Sequence, residues 1–368
     1  MESTPDPRHA ARVATAAPIA RRSPLRWLLL LALGISTVAT AQTTGVGFAP
    51  ITIPDPVNGG TMPGYVFYPA SQPSKMTWVG PYELHATREA IPIPGAKPLV
   101  LISHGHGGSD LGHHDLAVYL ASHGFVAATL QFPKDNYTDY QKYTGTPAVL
   151  DGRPIEVKAT ISMLLNNARW KALIDPNKIG EAGFSAGGYT ALMNVGAVPR
   201  FDRFKSYCKE QPQDAGICGP LQKMKSKEAA DAASATLQRD LDKWGQPADP
   251  RIKAAFVMAP LSLPFDRAGL APIHVPVFLY YGQDDPVLLP KYNVLHIAPL
   301  IKTLVGIKVI PKAGHYVFLG PCSKQLAAES LAQPICKVPP GVNRAKAIAR
   351  VNADALAFFR GTLHVLPH

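Results

Sequence analysis

Gly183-Phe184-Ser185-Ala186-Gly187 is the segment from which the architecture of this chain can be inferred. Lys178 to Ala182 runs into it with a strand's look, and small residues followed by a helix-like stretch run out of it. That is the layout of a nucleophile elbow, in which a serine sits on a sharp strand-to-helix turn with its hydroxyl exposed. The two glycines answer a steric demand. A side chain at either place would collide with the neighbouring strand or helix, and the turn imposes strained backbone angles on the serine. A five-residue G-x-S-x-G also arises by chance, so its weight comes from what surrounds it.

Working outward, Lys97-Pro98 leads into Leu99-Val100-Leu101-Ile102, a continuous apolar run suited to a strand buried on both faces. Asp115 to Ser122 reads as a helix, with Leu116, Val118, Tyr119 and Leu120 on its apolar face. Phe125 to Leu130 is the next buried strand, and Ile155 to Leu165 a second amphipathic helix. Ile252 to Met258, Val275 to Tyr281 and Ile307 to Ile310 are three more strands, and Asn343 to Phe359 closes the chain as a helix. Val46 to Ala70 alternates apolar and polar residues as antiparallel edge strands, and Ser71 to Lys97 reads as an irregular loop. Strands alternating with helices predict an α/β fold, a mostly parallel sheet with helices on both faces.

Residues 197–250 interrupt this rhythm. The stretch is polar and Lys-rich, with helical periodicity from Lys227 to Trp244. It reads as an insertion after the nucleophile helix, either a lid over the functional edge or a plain surface excursion. No internal repeat and no second domain of comparable size emerge, so residues 42–368 read as a single domain.

Arg21, Arg22 and Arg26 precede an apolar run from Trp27 to Ile35, and Ala39-Thr40-Ala41 offers a small-x-small cleavage site. Residues 1–41 therefore read as a secretory signal peptide, with an apolar run too short to span a bilayer comfortably. The expected location is periplasmic or extracellular, with no stable membrane insertion after cleavage. Cleavage removes five arginines and two acidic residues, taking the net charge from +11 to +8. No Lys/Arg cluster carries interleaved aromatics, which argues against nucleic acid as a partner. Export makes disulfides the expected state of the four cysteines, and of three connectivities the local one is favoured, Cys208 with Cys218 and Cys322 with Cys336. No C-x-x-C or matched histidine spacing supports zinc.

Serine is a poor nucleophile at neutral pH and needs a base, which in turn needs a carboxylate to orient it. In a sheet of this kind the partners follow in the order Ser, Asp/Glu, His, each just after a later strand. After Val277 to Tyr281 comes Gly282-Gln283-Asp284-Asp285-Pro286. Asp285 is favoured over Asp284 as the acid because Pro286 follows it. After Ile307 to Ile310 comes Ala313-Gly314-His315, which makes His315 the candidate base, while His296 lies within a connecting segment. Developing negative charge on a carbonyl oxygen needs preorganised N–H donors. The glycine-rich Ser103-His104-Gly105-His106-Gly107-Gly108-Ser109 supplies one in the amide of His106, and Ala186 supplies the other. Ser109-Asp110 breaks the phosphate-loop pattern, and His104, His106, His113 and His114 lack a ligand spacing, so no metal is expected. Leu261, Leu263 and Phe265, after the strand between elbow and acid, are candidates for an apolar substrate pocket or for loop core.

With these pieces in order, the chain resembles the α/β-hydrolase superfamily across about Pro98 to Leu363. More narrowly, it looks like a secreted bacterial group called predicted dienelactone hydrolases, related to platelet-activating-factor acetylhydrolases. The residues carrying the likeness are Ser103 to Ser109, Leu120-Ala121-Ser122-His123-Gly124-Phe125, Gly183 to Gly188, Gly282 to Pro286 and Gly314-His315. A true dienelactone hydrolase uses a cysteine nucleophile where this chain has Ser185, and Phe184 departs from the frequent G-H-S-x-G form. The resemblance implies ester hydrolysis and does not name the ester. A small-molecule ester is the expected substrate, and a serine mechanism of this kind needs no metal or organic cofactor. Short-chain esters come first, lipids and polyesters next; a non-catalytic binding protein on the same fold is the other reading.

Overall fold

The computed structural model describes residues 45–365 apart from 225, 246 and 331; the expected signal peptide, residues 1–41, lies outside them. The chain opens with a long antiparallel hairpin, β1 (Gly45–Pro54) and β2 (Thr61–Ala70), paired from Gly45 with Ala70 to Pro54 with Thr61. The segment from 71 to 97 is more ordered than expected. β3 (Met76–Val79) and β4 (Tyr82–His85) form a separate two-stranded sheet, and β5 (Thr87–Arg88) pairs with β1. Strands of two to four residues carry too few alternations for a period to show, although Gly80-Pro81 between Val79 and Tyr82 is a turn signal.

β6 (Lys97–Ser103), β7 (Val126–Leu130), β8 (Ile174–Phe184), β9 (Ile252–Met258), β10 (Val277–Gly282) and β11 (Leu304–Ile310) complete the main sheet. Its order is β11-β10-β9-β8-β6-β7-β2-β1-β5. The six strands from β11 to β7 run parallel, and β2 joins β7 antiparallel. β6 lies between β7 and β8, so the chain leaves it first to one side and later to the other. Loops after strands flanking such a switch diverge at the carboxyl edge and leave a crevice there.

Successive strand residues face opposite sides, and both sides are apolar. Leu99 and Leu101 of β6 face one side with Ile179, Val257 and Leu279. There they meet α2 (Gly152–Asn166) through Val157, Ile161 and Leu164, and α3 (Ala186–Asn194) through Ala191 and Leu192. Val100 and Ile102 face the other side with Phe256 and Tyr280, under α1 (His114–Ser122) and the closing helix α7 (Arg344–Thr362). Leu116 and Leu120 of α1, and Val351, Ala355 and Phe359 of α7, recur at four-residue spacing and supply the covering stripes. Each such side chain withdrawn from water contributes about 1.5–3 kcal/mol before entropy is counted.

Between α3 and β9 stand α4 (Asp202–Glu210), α5 (Ala215–Gln222) and α6 (Lys227–Trp244). Ser226 caps α6 by accepting the Ala229 N–H, and Leu237 and Leu241 anchor the helix to the core. A Cys208–Cys218 disulfide ties α4 to α5, and Cys322–Cys336 closes a second local loop before α7. Bridges over loops this short contribute about 2–4 kcal/mol by restricting the unfolded chain. Among the described residues no helix is long and apolar enough to cross a membrane.

His113, ahead of α1, is buried with its ring edge on Phe184 at 5.4 Å. Burial pushes its pKa down to about 4, so the folded ring stays neutral where the unfolded one gains a proton. Stability from this site is therefore complete above pH 6.5 and is lost as the pH falls toward 4. His113→Gln, which does not titrate, predicts a smaller fall in Tm between pH 7 and pH 4.5 than in the unaltered protein; an equal fall would contradict the assignment.

Candidate active site

β8 ends at Phe184, and Ser185 turns the chain into α3 with φ of 57° and ψ of −118°. A serine there stores roughly 1–3 kcal/mol of backbone strain and persists only if its surroundings hold it. The Ser185 N–H donates to the Met258 carbonyl at 2.9 Å, and the Ser185 carbonyl accepts from Leu261 N–H at 3.0 Å and Tyr189 N–H at 3.1 Å. A Cβ on Gly183 would stand 2.1 Å from the Gly187 oxygen, and one on Gly187 would stand 1.9 Å from the Ser103 oxygen. Both contacts are with backbone, which cannot swing aside.

Asp285 sits in the loop after β10 and is buried, whereas Asp284 points to solvent. The backbone N–H groups of Val287 and Leu288 donate to Asp285 Oδ1 at 2.8 and 2.9 Å, fixing the carboxylate plane. Oδ2 lies 2.6 Å from His315 Nδ1. His315, on the turn after β11, places Nε2 2.9 Å from Ser185 Oγ. With the Nδ1 proton directed to the carboxylate, Nε2 is left as the acceptor for the serine hydroxyl. The His315 ring packs on Phe184, centroids 4.7 Å apart, so the residue preceding the serine supports the histidine. Thus Ser185, His315 and Asp285 meet in one hydrogen-bonded chain. His296 stands apart, its ring between Arg203 and the Phe265 carbonyl.

The parallel register pairs Ser103 with Gly183, which lays the loop after β6 directly against the elbow. A Cβ on Gly105 would lie 3.2 Å from the Ser185 Cβ. His104 is buried within this loop. Its Nδ1–H donates to the Gly105 carbonyl at 2.7 Å, and its Nε2 accepts the Phe132 N–H at 3.2 Å. Burial, reinforced by the nearby Arg153 cation, pushes its pKa down to about 3 and keeps it neutral. Among the described residues no protein group accepts the backbone N–H of His106 or of Ala186. Both N–H groups are therefore free, one next to the serine in sequence and one in the loop packed against it.

Beneath the site lies a buried polar layer that sequence patterning misses. Glu181, inside β8, accepts from Ser103 Oγ and Asn194 Nδ2, both at 2.8 Å. Burial pushes its carboxyl up to about 7. Arg153 of α2 is fully buried and pairs with Asp135 at 2.5 Å. The one signal available was for Glu181, a charged residue set inside the buried end of β8.

The candidate pocket residues separate. Phe265 is fully buried and stacks on Tyr189 at 5.3 Å, and Leu263 packs with Tyr207 and Cys218; both are core, not pocket wall. Leu261 remains partly buried beside the Ser185 carbonyl. A cavity of about 380 Å³ opens beside His315, lined by Val287, Tyr316, Val317, Val338 and Pro339 among others.

No family model matches the chain, and no curated protein sequence matches it. Among solved structures it is similar to a ferulic acid esterase from Streptomyces cinnamoneus, with a TM-score of 0.54 and 20% sequence identity, over 91% of this chain and 94% of that one. The likeness, with the parallel sheet and its strand order, establishes an α/β-hydrolase fold.

Gly187→Ala tests the packing at the elbow. It is expected to lower unfolding stability by about 3 kcal/mol or more, because backbone cannot relax around the new methyl group. An unchanged urea midpoint would show that the turn is not held as described.

Proposed function

We propose that the chain is an exported serine esterase acting on small carboxylic esters. The observation that carries this reading is the His315 ring, with Nε2 2.9 Å from Ser185 Oγ and Nδ1 2.6 Å from Asp285. His315 takes the Ser185 proton as Oγ attacks the carbonyl carbon. The amides of His106 and Ala186 receive the negative oxygen. His315 then gives its proton to the leaving alcohol, and an acyl-Ser185 remains. Water, deprotonated by His315, attacks that ester and releases the acid. Every role is filled by a residue of this chain, so the reaction as written draws on no cofactor. Asp285 holds the imidazole in the required tautomer and stabilises its protonated form.

The ester class is supported by the name of the similar structure, a ferulic acid esterase. Export is supported by the N-terminal pattern of residues 1–41 and by the two disulfides, which persist in oxidising compartments. Leu261 and the apolar walls of the cavity beside His315 are the proposed contacts for the substrate's carbon groups.

Hydrolysis of p-nitrophenyl esters from acetate to palmitate by the mature chain tests this. The rate is expected to fall with acyl length. Ser185→Ala and His315→Ala should each lower kcat by about 10⁴-fold or more with little change in Tm. Asp285→Asn should lower it by about 10³-fold or more, and Asp284→Asn should leave it nearly unchanged. A rate that survives Ser185→Ala would overturn the mechanism, and a larger loss at Asp284 would reassign the acid.

A further inference from the structure

We propose that the buried Asp135–Arg153 pair is a positioning clamp that sets the direction of the His106 amide toward the substrate oxygen. The inference rests on the serine esterase reading above. Asp135 lies in the loop after β7 and Arg153 in the first turn of α2, and both are fully buried. Asp135 Oδ1 accepts from the His106 ring Nδ1–H and, at 3.2 Å, from the Gly107 backbone N–H. Its Oδ2 accepts from Arg153 Nη1 at 2.5 Å. Arg153 Nη2 donates to the His104 carbonyl. One ion pair thus grips positions 104, 106 and 107, on both sides of the amide that remains free.

The loop needs an external grip. Gly105, Gly107 and Gly108 have no side chains to pack, and Gly107 has a φ of +65°. Glycine-rich backbone left to itself samples many orientations. Burying two charges is costly, and well-packed apolar residues of the same volume often stabilise a fold as well or better. Apolar residues, however, would leave the His104 carbonyl and Gly107 N–H without their partners and the loop without its direction. The flat face of the Arg153 guanidinium rests on the Phe132 ring at 3.8 Å, which fixes the cation's own plane. Burial opposes charge on Asp135, but Arg153 and His106 outweigh it and hold the carboxyl below its usual range. The acceptor of the clamp is therefore an ionised carboxylate.

A donor to a developing oxyanion acts only in the transition state, and its placement is exacting. A shift of about 1 Å at a reacting group can cost on the order of 10²-fold in rate. Two substitutions separate positioning from general stability. Asp135→Asn keeps shape and one acceptor oxygen but removes the charge that binds Arg153. His106→Ala keeps the backbone N–H but removes its tether, and this side chain is one-third exposed, so the core is left intact. Each protein is assayed on p-nitrophenyl acetate and on the corresponding thionoester, whose sulfur anion is a poor hydrogen-bond acceptor.

Both variants are expected to lose kcat on the oxygen ester by about tenfold or more, with KM within about threefold. The thionoester rate should fall far less, so the ratio of the two rates collapses. Should Asp135→Asn not fold, His106→Ala alone decides. Equal losses on both substrates, or no loss, would overturn the clamp while leaving Ser185-dependent turnover standing. Absence of Ser185-dependent turnover in the unaltered protein would overturn the esterase reading and the clamp together.

Discussion

The contact between Gly187 and the Ser103 carbonyl is the constraint on which the rest of the site depends. Backbone meets backbone there, with no room for a methyl group. The closeness follows from the pairing of β6 with β8, which sets Ser103 opposite Gly183. Two consequences come from that single approach. The turn at Ser185 is forced to a positive φ, and the loop after β6, with the free His106 N–H in it, is brought against the serine. Strain at Ser185 is offset by its hydrogen bonds to Met258 and Leu261 and by the two apolar faces of the sheet around it.

Beneath this contact the protein departs from an apolar interior. Glu181, His104 and Asp135 are buried within the strands and loops that carry the site, and Arg153 is buried at the start of α2 beside them. Their protonation states are set by surroundings: His104 neutral through burial, Asp135 ionised through Arg153, Glu181 raised to about 7 through burial. Each partner they take is backbone or side chain of the loop after β6, its supports, or the helix after the serine. A hydrogen-bonded polar network gives direction as well as cohesion, whereas apolar packing gives only cohesion. The site is thus held by two means, close backbone packing at the elbow and directional hydrogen bonds behind the loop.

Much of the arrangement could be read from the chain alone, for a physical reason. Ser185, Asp285 and His315 each follow directly on an apolar run, and parallel strands present their carboxyl ends on one edge, so order along the chain becomes proximity in space. Asp285 could be preferred to Asp284, and the structure turns the first inward and the second to solvent. The Asp135–Arg153 pair was not legible, because an aspartate in a loop and an arginine at a helix start are ordinary residues there. Only tertiary contact makes them partners. Leu263 and Phe265 stayed open between pocket and core because an apolar residue after a strand reads alike whether it faces one or the other. The short β3–β4 hairpin was hidden by its length, four residues a strand being too few for a period.

Site-resolved trapping of the nucleophile decides whether Ser185 is activated by His315. The folded mature protein would be exposed briefly to a fluorophosphonate, and its intact mass and peptide map determined. The account predicts one phosphonyl group per chain, on Ser185, and none after His315→Ala at the same exposure. Modification at another residue, or none on a folded protein that still hydrolyses esters, would contradict it.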